Sequence, residues 1–471
     1  MRTILAGGLA ALAISAGPAI ADTAGADWSP TTYELDNGMD VVVLEDHRAP
    51  VVTHMVWYKV GAVDEDPGKS GIAHLFEHVM FKETDDIGPE EFTSIVQRNG
   101  GQLNAFTSWD YTAYYERVAK DQLRTMMELE AERMTDLVIN DDPEGPFISE
   151  RDVVKEERRQ RIDNNPGVIL QEQIFSALYQ DHPYNITVIG KMEEVGALTP
   201  EDGLAFYNKW YTPSEAILVV AGDVQPEEVL DLAKATYGTI EVEDTEPPAR
   251  GWQDVEPLAE TQLITHRDPK VRQPEWQRWY LSTSYTQDRD FAYALDVAMD
   301  VLGGGRTSRL YQALVEDQKI AVEASSGAYL SLHDRAPAIL SASPSDGFSL
   351  DALETAYMEV VNEVLENGFT EAEVERSRNS LAASSIYQRD SQSSMANLYG
   401  RTLAVGGSVE DVMNYPDDIR QVTKEDAIAA LRRVLADDRH YVEGHLLPEA
   451  EEAAAEDESQ TEGQSEGESE Q

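Results

Sequence analysis

Short runs of apolar and β-branched residues, bounded by turn signals, recur through the first half of the chain. Residues 35–44 contain Asn37-Gly38 near their start, a dipeptide that favours tight turns between strands. Residues 51–60 alternate between apolar and polar positions, as a half-buried strand does. Two further runs flank a turn within residues 102–115. We therefore predict strands in these segments and a buried strand at 216–221.

Apolar residues at helical spacing predict helices between these strands. The pattern is clearest over residues 121–137, where leucines and methionines recur every three or four positions. Thr199-Pro200 marks another helix start, because proline is tolerated at the first helical position. We predict further helices over residues 71–80, from Pro89 onward and over residues 229–237.

The second half repeats this alternation after residues 244–251, where the sequence DTEPPARG interrupts the periodicity. Strands are predicted at 262–266 and 279–283, and helices at 291–302, 308–317, 350–365 and after Thr370, which opens a capping box. The repetition indicates one α+β unit used twice. The predicted division is an N-terminal domain at 28–243, a linker at 244–260 and a C-terminal domain at 261–448.

The two ends of the chain differ in composition from the rest. Residues 1–21 carry Arg2, a short apolar run and an Ala-Ile-Ala cleavage sequence, which predicts a signal peptide cut after Ala21. A retained N-terminal anchor is the alternative. Residues 449–471 contain ten acidic residues and no basic one, which predicts a disordered acidic tail. No other stretch is apolar enough for stable membrane insertion, so we predict a periplasmic or secreted protein.

The charge of the chain limits its partners. Against 88 Asp and Glu stand 37 Lys and Arg, giving a formal net charge of −51. Nucleic acid is disfavoured, since phosphate binding needs a basic footprint. The acidity favours solubility in high salt, and attraction of basic peptides is the alternative interpretation. Because the chain has no cysteine, a metal site must use histidine and carboxylate ligands.

The segment His74-Leu-Phe-Glu77-His78 carries the most specific chemical signal of the sequence. On a helix, His74 and His78 project from one face, one turn apart, at the spacing that Zn²⁺ needs from two nitrogen ligands. Glu77 lies beside them and would take a proton from water at the metal's open position. The order His-x-x-Glu-His is the inverted form of a zinc peptidase motif. The alternative is a polar patch on a buried helix.

A second predicted helix, capped by Ser149, brings further carboxylates into consideration. Glu150 and Glu157 share a face with Val153 and Val154. The two valines indicate that this face points inward. A carboxylate on a buried face needs a positive partner, and a metal ion is the strongest candidate.

The third metal ligand is therefore predicted to be Glu157 and not Glu156, which lies to one side of the inward face. Arg161 follows Glu157 by four residues and shares its face. A plain Glu157–Arg161 ion pair is the alternative for this segment.

Together with these segments, a series of further motifs resembles the pitrilysin-type (M16) zinc peptidases, the family of insulin-degrading enzyme and the mitochondrial processing peptidase. The resemblance covers residues 32–447, and the length is that of the short bacterial members. Its further marks are Gly101-Gln-Leu-Asn104-Ala105-Phe-Thr107, His182-Pro-Tyr184, Tyr211-Thr-Pro213, Gly222-Asp-Val224 and Gly304-Gly305 with Ser308-Arg-Leu310.

The resemblance implies two homologous α+β domains, with helices packed on one face of their strand pairs, that enclose a substrate chamber. It implies one Zn²⁺ per chain, with the ligands His74, His78 and Glu157. Glu77 matches the catalytic base, and Glu150 matches a glutamate that lies behind the metal. Asn104 and Ala105 match an edge-strand segment that pairs with the backbone of the substrate.

The sequence departs from the family pattern at two positions of the second half. Active members usually carry an arginine there and, seven residues later, a tyrosine, which help to bind substrate at the zinc site. Val315 and Val322 stand at these positions, and neither can donate a hydrogen bond. The departure predicts a heterodimer whose homologous partner chain supplies the pair. The rival is a homodimer that uses other donors, namely Arg306, Arg309 or Tyr311.

Three functions fit these observations. The leading interpretation is a zinc-dependent endopeptidase that acts on peptides or unfolded protein segments. The second is a non-catalytic structural subunit, because the family also contains such members. The third is a zinc-dependent binding protein.

Overall fold

The computed structural model of the 471-residue chain describes residues 28–142, 145–242, 254–436 and 439–449. The predicted signal peptide, the first ten residues of the predicted linker and nearly all of the predicted acidic tail lie outside the described residues. Within the described part of the chain, no helix combines the length and the apolar character needed to cross a membrane.

The described first half forms a six-stranded mixed sheet with helices around it. Its strands are β1 (Thr31–Glu34), β2 (Asp40–Glu45), β3 (Val51–Tyr58), β4 (Gln102–Thr107), β5 (Thr112–Ala119) and β6 (Ala216–Gly222). Its helices are α1 (Ile72–Val79), α2 (Glu91–Arg98), α3 (Leu123–Thr135), α4 (Pro146–Arg158), α5 (Pro166–Tyr179), α6 (Met192–Ala197), α7 (Pro200–Trp210) and α8 (Pro226–Ala235). The strand order is β1-β2-β6-β3-β5-β4, which leaves β4 at an edge.

The described second half forms a five-stranded mixed sheet with the order β7-β11-β8-β10-β9. Its strands are β7 (Gln262–Asp268), β8 (Glu275–Leu281), β9 (Ala321–Ala328), β10 (Pro337–Pro344) and β11 (Val442–Pro448). Its helices are α9 (Arg289–Gly303), α10 (Leu350–Asn367), α11 (Glu371–Gln388), α12 (Gln392–Ala404), α13 (Val409–Gln421) and α14 (Lys424–Leu435).

The two sheets have the same topology apart from β1. In each, one parallel pair (β2 with β6, β7 with β11) is followed by three antiparallel neighbours in matching chain order. The predicted fold, one α+β unit used twice, is confirmed. The apolar strands β2, β3 and β6 lie at the centre of the first sheet and are buried because both faces are covered.

The halves exchange one helix each, a feature that the sequence did not indicate. Helix α12 of the second half packs on β3 and β6 of the first sheet, where Gly400 lies directly against Trp57. Helix α5 of the first half packs on β7 and β11 of the second sheet, and its Ile174 lies against Gly444. Each sheet therefore has helices of its own half on one face and a helix of the other half on the second face.

The described part of the predicted linker, residues 254–260, contains no helix or strand. It is nevertheless anchored, because Val255 and Leu258 are buried in an apolar cluster with α5 and β11. This described end of the linker therefore packs against the exchanged helix α5.

Candidate metal centre and active site

Helix α1 presents the His-x-x-Glu-His segment, and its first turn is fixed by an unusual cap. The helix begins after Gly71, whose φ of 88° lies in the left-handed region. The carboxylate of Glu65 accepts hydrogen bonds of 3.0 Å from the backbone N–H groups of Gly71 and Ala73. Apolar residues anchor the helix in the core, namely Ile72, Leu75, Phe76 and Val79.

His74 and His78 of this helix lie together with Glu157 of α4. Glu157 Oε2 lies 3.2 Å from His78 Nε2 and 3.7 Å from His74 Nε2. A tetrahedral zinc ion with bonds of about 2.0–2.2 Å would separate its ligand atoms by roughly 3.3 Å. The observed distances fit that requirement, and the three candidate ligand atoms all lie within 4.8 Å of one another.

The polar atoms of this cluster also fit a cation. Glu157 Oε2 is buried, and none of the described residues donates to it a hydrogen bond of acceptable geometry. A buried carboxylate oxygen without a donor is costly, whereas two imidazoles and one carboxylate form a common zinc ligand set with an open fourth position. Burial lowers the pKa of His74 to about 4, which keeps its imidazole neutral, as a metal ligand must be.

Glu150 lies behind His78 and orients its ring. Its Oε2 lies 3.2 Å from His78 Nδ1, and its Oε1 pairs with Lys82 Nζ at 2.8 Å. This contact directs His78 Nε2 toward Glu157 and His74, in the way that carboxylates orient metal-bound histidines. Burial alone would lower the pKa of His78, but Glu150 and Glu157 outweigh it and raise that pKa to about 9, so that a metal ion bound at this ring would displace a proton.

The local predictions for helix α4 need two corrections. Ser149 does not cap the helix, because Pro146 starts it one turn earlier after Gly145. Val153 does not point inward and is 47% exposed, whereas Val154 is fully buried. The buried arc centres on Val154 and the buried Phe147, and Val153 lies about 100° away from it.

Glu157 still reaches the cluster because it lies on the edge of that arc nearest the histidines. Its second oxygen, Oε1, pairs with Arg161 Nη1 at 2.6 Å. Contact with His78 is the main reason why the pKa of Glu157 lies below its usual value. The two interpretations that the sequence left open therefore involve different atoms: Oε1 pairs with arginine, and Oε2 faces the histidines. Glu156 is exposed and pairs with Arg159 at 3.0 Å.

Glu77 lies beside the cluster, with Oε2 3.9 Å from His74 Nε2. The hydroxyl of Thr107 donates a hydrogen bond of 2.8 Å to the same oxygen. Burial raises the pKa of Glu77, and the Thr107 bond partly opposes that effect. Thr107 stands in a motif that the sequence analysis recognised, but no role was predicted for it.

A cleft of about 470 Å³ opens over these groups. Asn104 and Ala105 line it from the edge strand β4, so both of the predicted substrate-binding residues border the cleft. Trp109, Glu172 and Phe175 also line the cleft, and no role at the site was predicted for them; Arg161, predicted as a partner of Glu157, lines it as well. Trp109 and Phe175 stack with a centroid distance of 5.0 Å, and they give one wall an apolar character.

Val315 and Val322 lie in the second half. Val315 is in the irregular helical segment Tyr311–Asp317 and packs against the second core. Val322 lies on the edge strand β9 and is 54% exposed. Of the alternative donors, Arg309 is held by the carboxylate of Glu373, which also caps α11.

Comparison with known proteins agrees with this architecture. Residues 40–191 match the family model of insulinase (peptidase family M16), and residues 197–381 match that of the peptidase M16 inactive domain. The zinc protease PqqE of Helicobacter pylori is 30% identical over 405 residues, which cover 86% of this chain and 89% of the relative. The chain belongs to peptidase family M16. The match to the inactive domain begins in the last part of the first half and continues into the second half, which lacks the histidine motif.

Solved structures of the M16 family share the fold. A protease from Helicobacter pylori superposes with a TM-score of 0.82 at 28% identity, covering 89% of this chain and 99% of that chain. The first half of the periplasmic protease PqqL from Escherichia coli superposes with a TM-score of 0.74 at 18% identity, covering 89% of this chain and 92% of that chain. The two-domain α+β architecture of this chain is therefore that of M16 peptidases.

Proposed function

We propose that this M16 chain is a zinc-dependent endopeptidase that hydrolyses peptides or unfolded protein segments. The observation that carries the proposal is the convergence of His74 Nε2, His78 Nε2 and Glu157 Oε2 beside the carboxylate of Glu77. The relatives named zinc proteases support it. One Zn²⁺ per chain would be held by the two histidines and Glu157, and when bound it supplies a Lewis acid at the cleft.

Three residues of the chain would then have separate roles in hydrolysis. Glu77 takes a proton from the attacking water and returns it to the leaving amine. Thr107 holds Glu77 Oε2 in place. Because burial raises the pKa of Glu77, the group is a better proton acceptor than an exposed glutamate. Glu150 keeps the His78 ring in its orientation.

The substrate would bind as an added strand on β4. This strand is the edge of the first sheet and pairs with β5 alone among the described strands. Asn104 and Ala105 lie in its middle and border the cleft, so an extended peptide hydrogen-bonded there would run past Glu77.

We further propose that the chain works as the catalytic subunit of a heterodimer. Val315 and Val322 supply no hydrogen-bond donor where active M16 members usually have arginine and tyrosine. The rival homodimer loses one of its donors, because Arg309 is already engaged by Glu373. The partner would be a homologous chain that carries the arginine–tyrosine pair.

A non-catalytic M16 subunit is the second candidate function. The two valines favour it, since a zinc site without these donors would stabilise a transition state poorly. The intact cluster of His74, His78, Glu157 and Glu77 argues against it.

A periplasmic location is proposed from the N-terminal sequence pattern.

A quenched-peptide assay tests this proposal. The purified chain is assayed alone, mixed with a homologous chain that carries the arginine–tyrosine pair, and again after treatment with a zinc chelator. We expect weak hydrolysis by the chain alone, strong hydrolysis by the mixture, and loss of both on chelation. Full activity of the lone chain, unchanged on mixing, would refute the heterodimer. Absence of hydrolysis in every mixture would favour the non-catalytic subunit.

A further inference from the structure

A second cavity lies in the other half of the molecule, among helices α9, α11, α12 and α13. Its volume is about 270 Å³, near the lower end of the range of about 300–1,000 Å³ typical of small-molecule sites. Helix α12 separates it from the first sheet, and α12 packs on the face of that sheet opposite to α1. The cavity is therefore distinct from the candidate zinc site.

The charges on the cavity wall are unusual for this protein. Its charged side chains are Arg289, Arg389, Arg401 and Asp411. Asp411 pairs with Arg289 at 2.6 Å, which neutralises both. In the described part of the chain, Arg389 and Arg401 form no ion pair and no side-chain hydrogen bond, and Arg401 lies within electrostatic reach of the neutral Tyr111 hydroxyl. The cavity wall therefore carries two unmatched positive charges in a chain whose formal net charge is −51.

Of the two arginines, Arg401 has the stronger need for a hydrogen-bond acceptor. Its Nε atom is buried and has no hydrogen-bond partner among the described residues. The side chain as a whole is partly exposed, but its buried Nε–H group has no acceptor, and a carboxylate is the acceptor that the fork geometry of a guanidinium matches best. With 88 acidic residues in the sequence, an internal partner would be easy to supply. No acidic residue of the cavity wall fills this role for Arg401, which points to an acceptor from outside the chain.

The rest of the wall is mainly apolar and aromatic. Leu381, Leu398, Val412 and Tyr415 form part of it, contributed by three different helices. An inorganic anion would satisfy the arginines and leave this surface unfilled. A ligand with a charged head and an apolar body satisfies both parts of the wall.

We propose that this cavity binds a small apolar carboxylate of about ten non-hydrogen atoms. The carboxylate accepts hydrogen bonds from Arg389 and Arg401, and the apolar body packs against the leucines and Val412. Two sources supply this chemistry: a medium-chain fatty acid, and the C-terminal carboxylate of a short apolar peptide. The site is separate from the proposed peptidase chemistry and does not depend on it.

Calorimetric titration of the full chain tests the proposal, with octanoate and N-acetyl-leucine as the two carboxylates. Octan-1-ol and N-acetyl-leucinamide are the matched neutral controls. We expect saturable binding of at least one carboxylate and binding at least tenfold weaker for its neutral counterpart. Tighter octanoate binding identifies the fatty-acid source, and tighter N-acetyl-leucine binding identifies the peptide source. Treatment with a zinc chelator should leave the affinity unchanged.

Variants connect the binding to the two arginines. Arg389→Gln and Arg401→Gln should each weaken binding by about 10- to 100-fold, the usual effect of losing a hydrogen bond to a charged group. Arg420→Gln is the control, because Arg420 is exposed and pairs with Asp417 on α13. Arg389 is partly exposed, so its variant remains informative if Arg401→Gln fails to fold.

Several results would overturn the proposal. They are equal binding of the neutral controls, equal binding of inorganic phosphate, unchanged affinity in Arg389→Gln, loss of binding on chelation, or no saturable binding of either carboxylate.

Discussion

The two oxygens of Glu157 have different neighbours, and this difference defines the candidate metal centre. Oε2 faces His74 and His78, while Oε1 pairs with Arg161. The arginine holds the carboxylate so that a single oxygen is directed at the histidines. An ion pair and a metal ligand are therefore compatible roles for the same side chain.

Substitution of Glu157 separates it from its neighbour Glu156. We expect Glu157→Gln to lose bound zinc and Glu156→Gln to retain it. Glu156 is exposed to solvent, and among the described residues it accepts hydrogen bonds from Arg159 and Gln160, away from the histidines. Metal analysis of the purified variants measures this directly. Equal zinc content in the two would remove Glu157 from the ligand set.

Substitution of Arg161 tests its positioning role. We expect Arg161→Ala to raise the Kd for Zn²⁺ by about tenfold, the lower end of the effect of groups that orient metal ligands. The lower end applies because the Arg161 side chain is 70% exposed and its ion pair is screened by solvent. Competition with a chromophoric chelator gives the Kd. Arg159→Ala is the matched control, and an equal effect of both variants would contradict the role.

At the scale of single elements, the sequence predicted most strands and helices of the first half and fewer of the second. Residues 216–221 were recognisable as an apolar run rich in valine and isoleucine. Residues 51–60 were predicted as a strand from alternation, but β3 is buried along almost its whole length. Strand β9 was not predicted, because its sequence AVEASSGA is rich in small and polar residues. Its strand conformation depends on pairing with β10, which is a tertiary interaction.

For the candidate site too, local features could be predicted from the sequence and contacts between distant residues could not. The spacing of His74, Glu77 and His78 lies within one helix and is visible in the sequence. The start of α4 was misplaced, because the prediction began at Ser149 and overlooked the Pro146 that starts the helix. Thr107 reaches Glu77 from a separate strand, and such long-range contacts leave no periodic signal.

The packing of α12 on the first sheet can be tested at Gly400. A Cβ atom there would lie 2.1 Å from Trp57 Nε1, so Gly400→Ala forces the helix away from the sheet. We expect the free energy of unfolding to fall by about 1–3 kcal/mol. Gly196→Ala is the control, because the nearest atom to its Cβ would be Lys155 Cε at 3.9 Å. Thermal or urea unfolding measures both, and equal stabilities would contradict this packing.

At the scale of the whole molecule, the sequence predicted two similar halves but not how they are joined. Helix α12 was not predicted, although its apolar residues Met395, Ala396 and Tyr399 have helical spacing. Such spacing indicates a buried helix face and does not show which sheet that face packs against. The exchange of α5 and α12 therefore emerged only from the structure.

The acidic tail should be dispensable for the folded part. We expect a chain lacking residues 449–471 to keep its melting temperature and its peptidase activity, because a segment of this composition buries little apolar surface. Differential scanning calorimetry and the quenched-peptide assay measure the two properties. A large fall in melting temperature would show that the tail packs on the rest of the chain.

In the proposed mechanism, Glu77 activates water beside a zinc ion that would be held by His74, His78 and Glu157. The most direct measurement determines zinc content and peptide hydrolysis together in Glu77→Gln, under the conditions in which the unmodified chain is active. We expect unchanged zinc content and a loss of hydrolysis of about 10²–10⁴-fold, the usual contribution of a general base. Substantial hydrolysis by the zinc-loaded variant would contradict it.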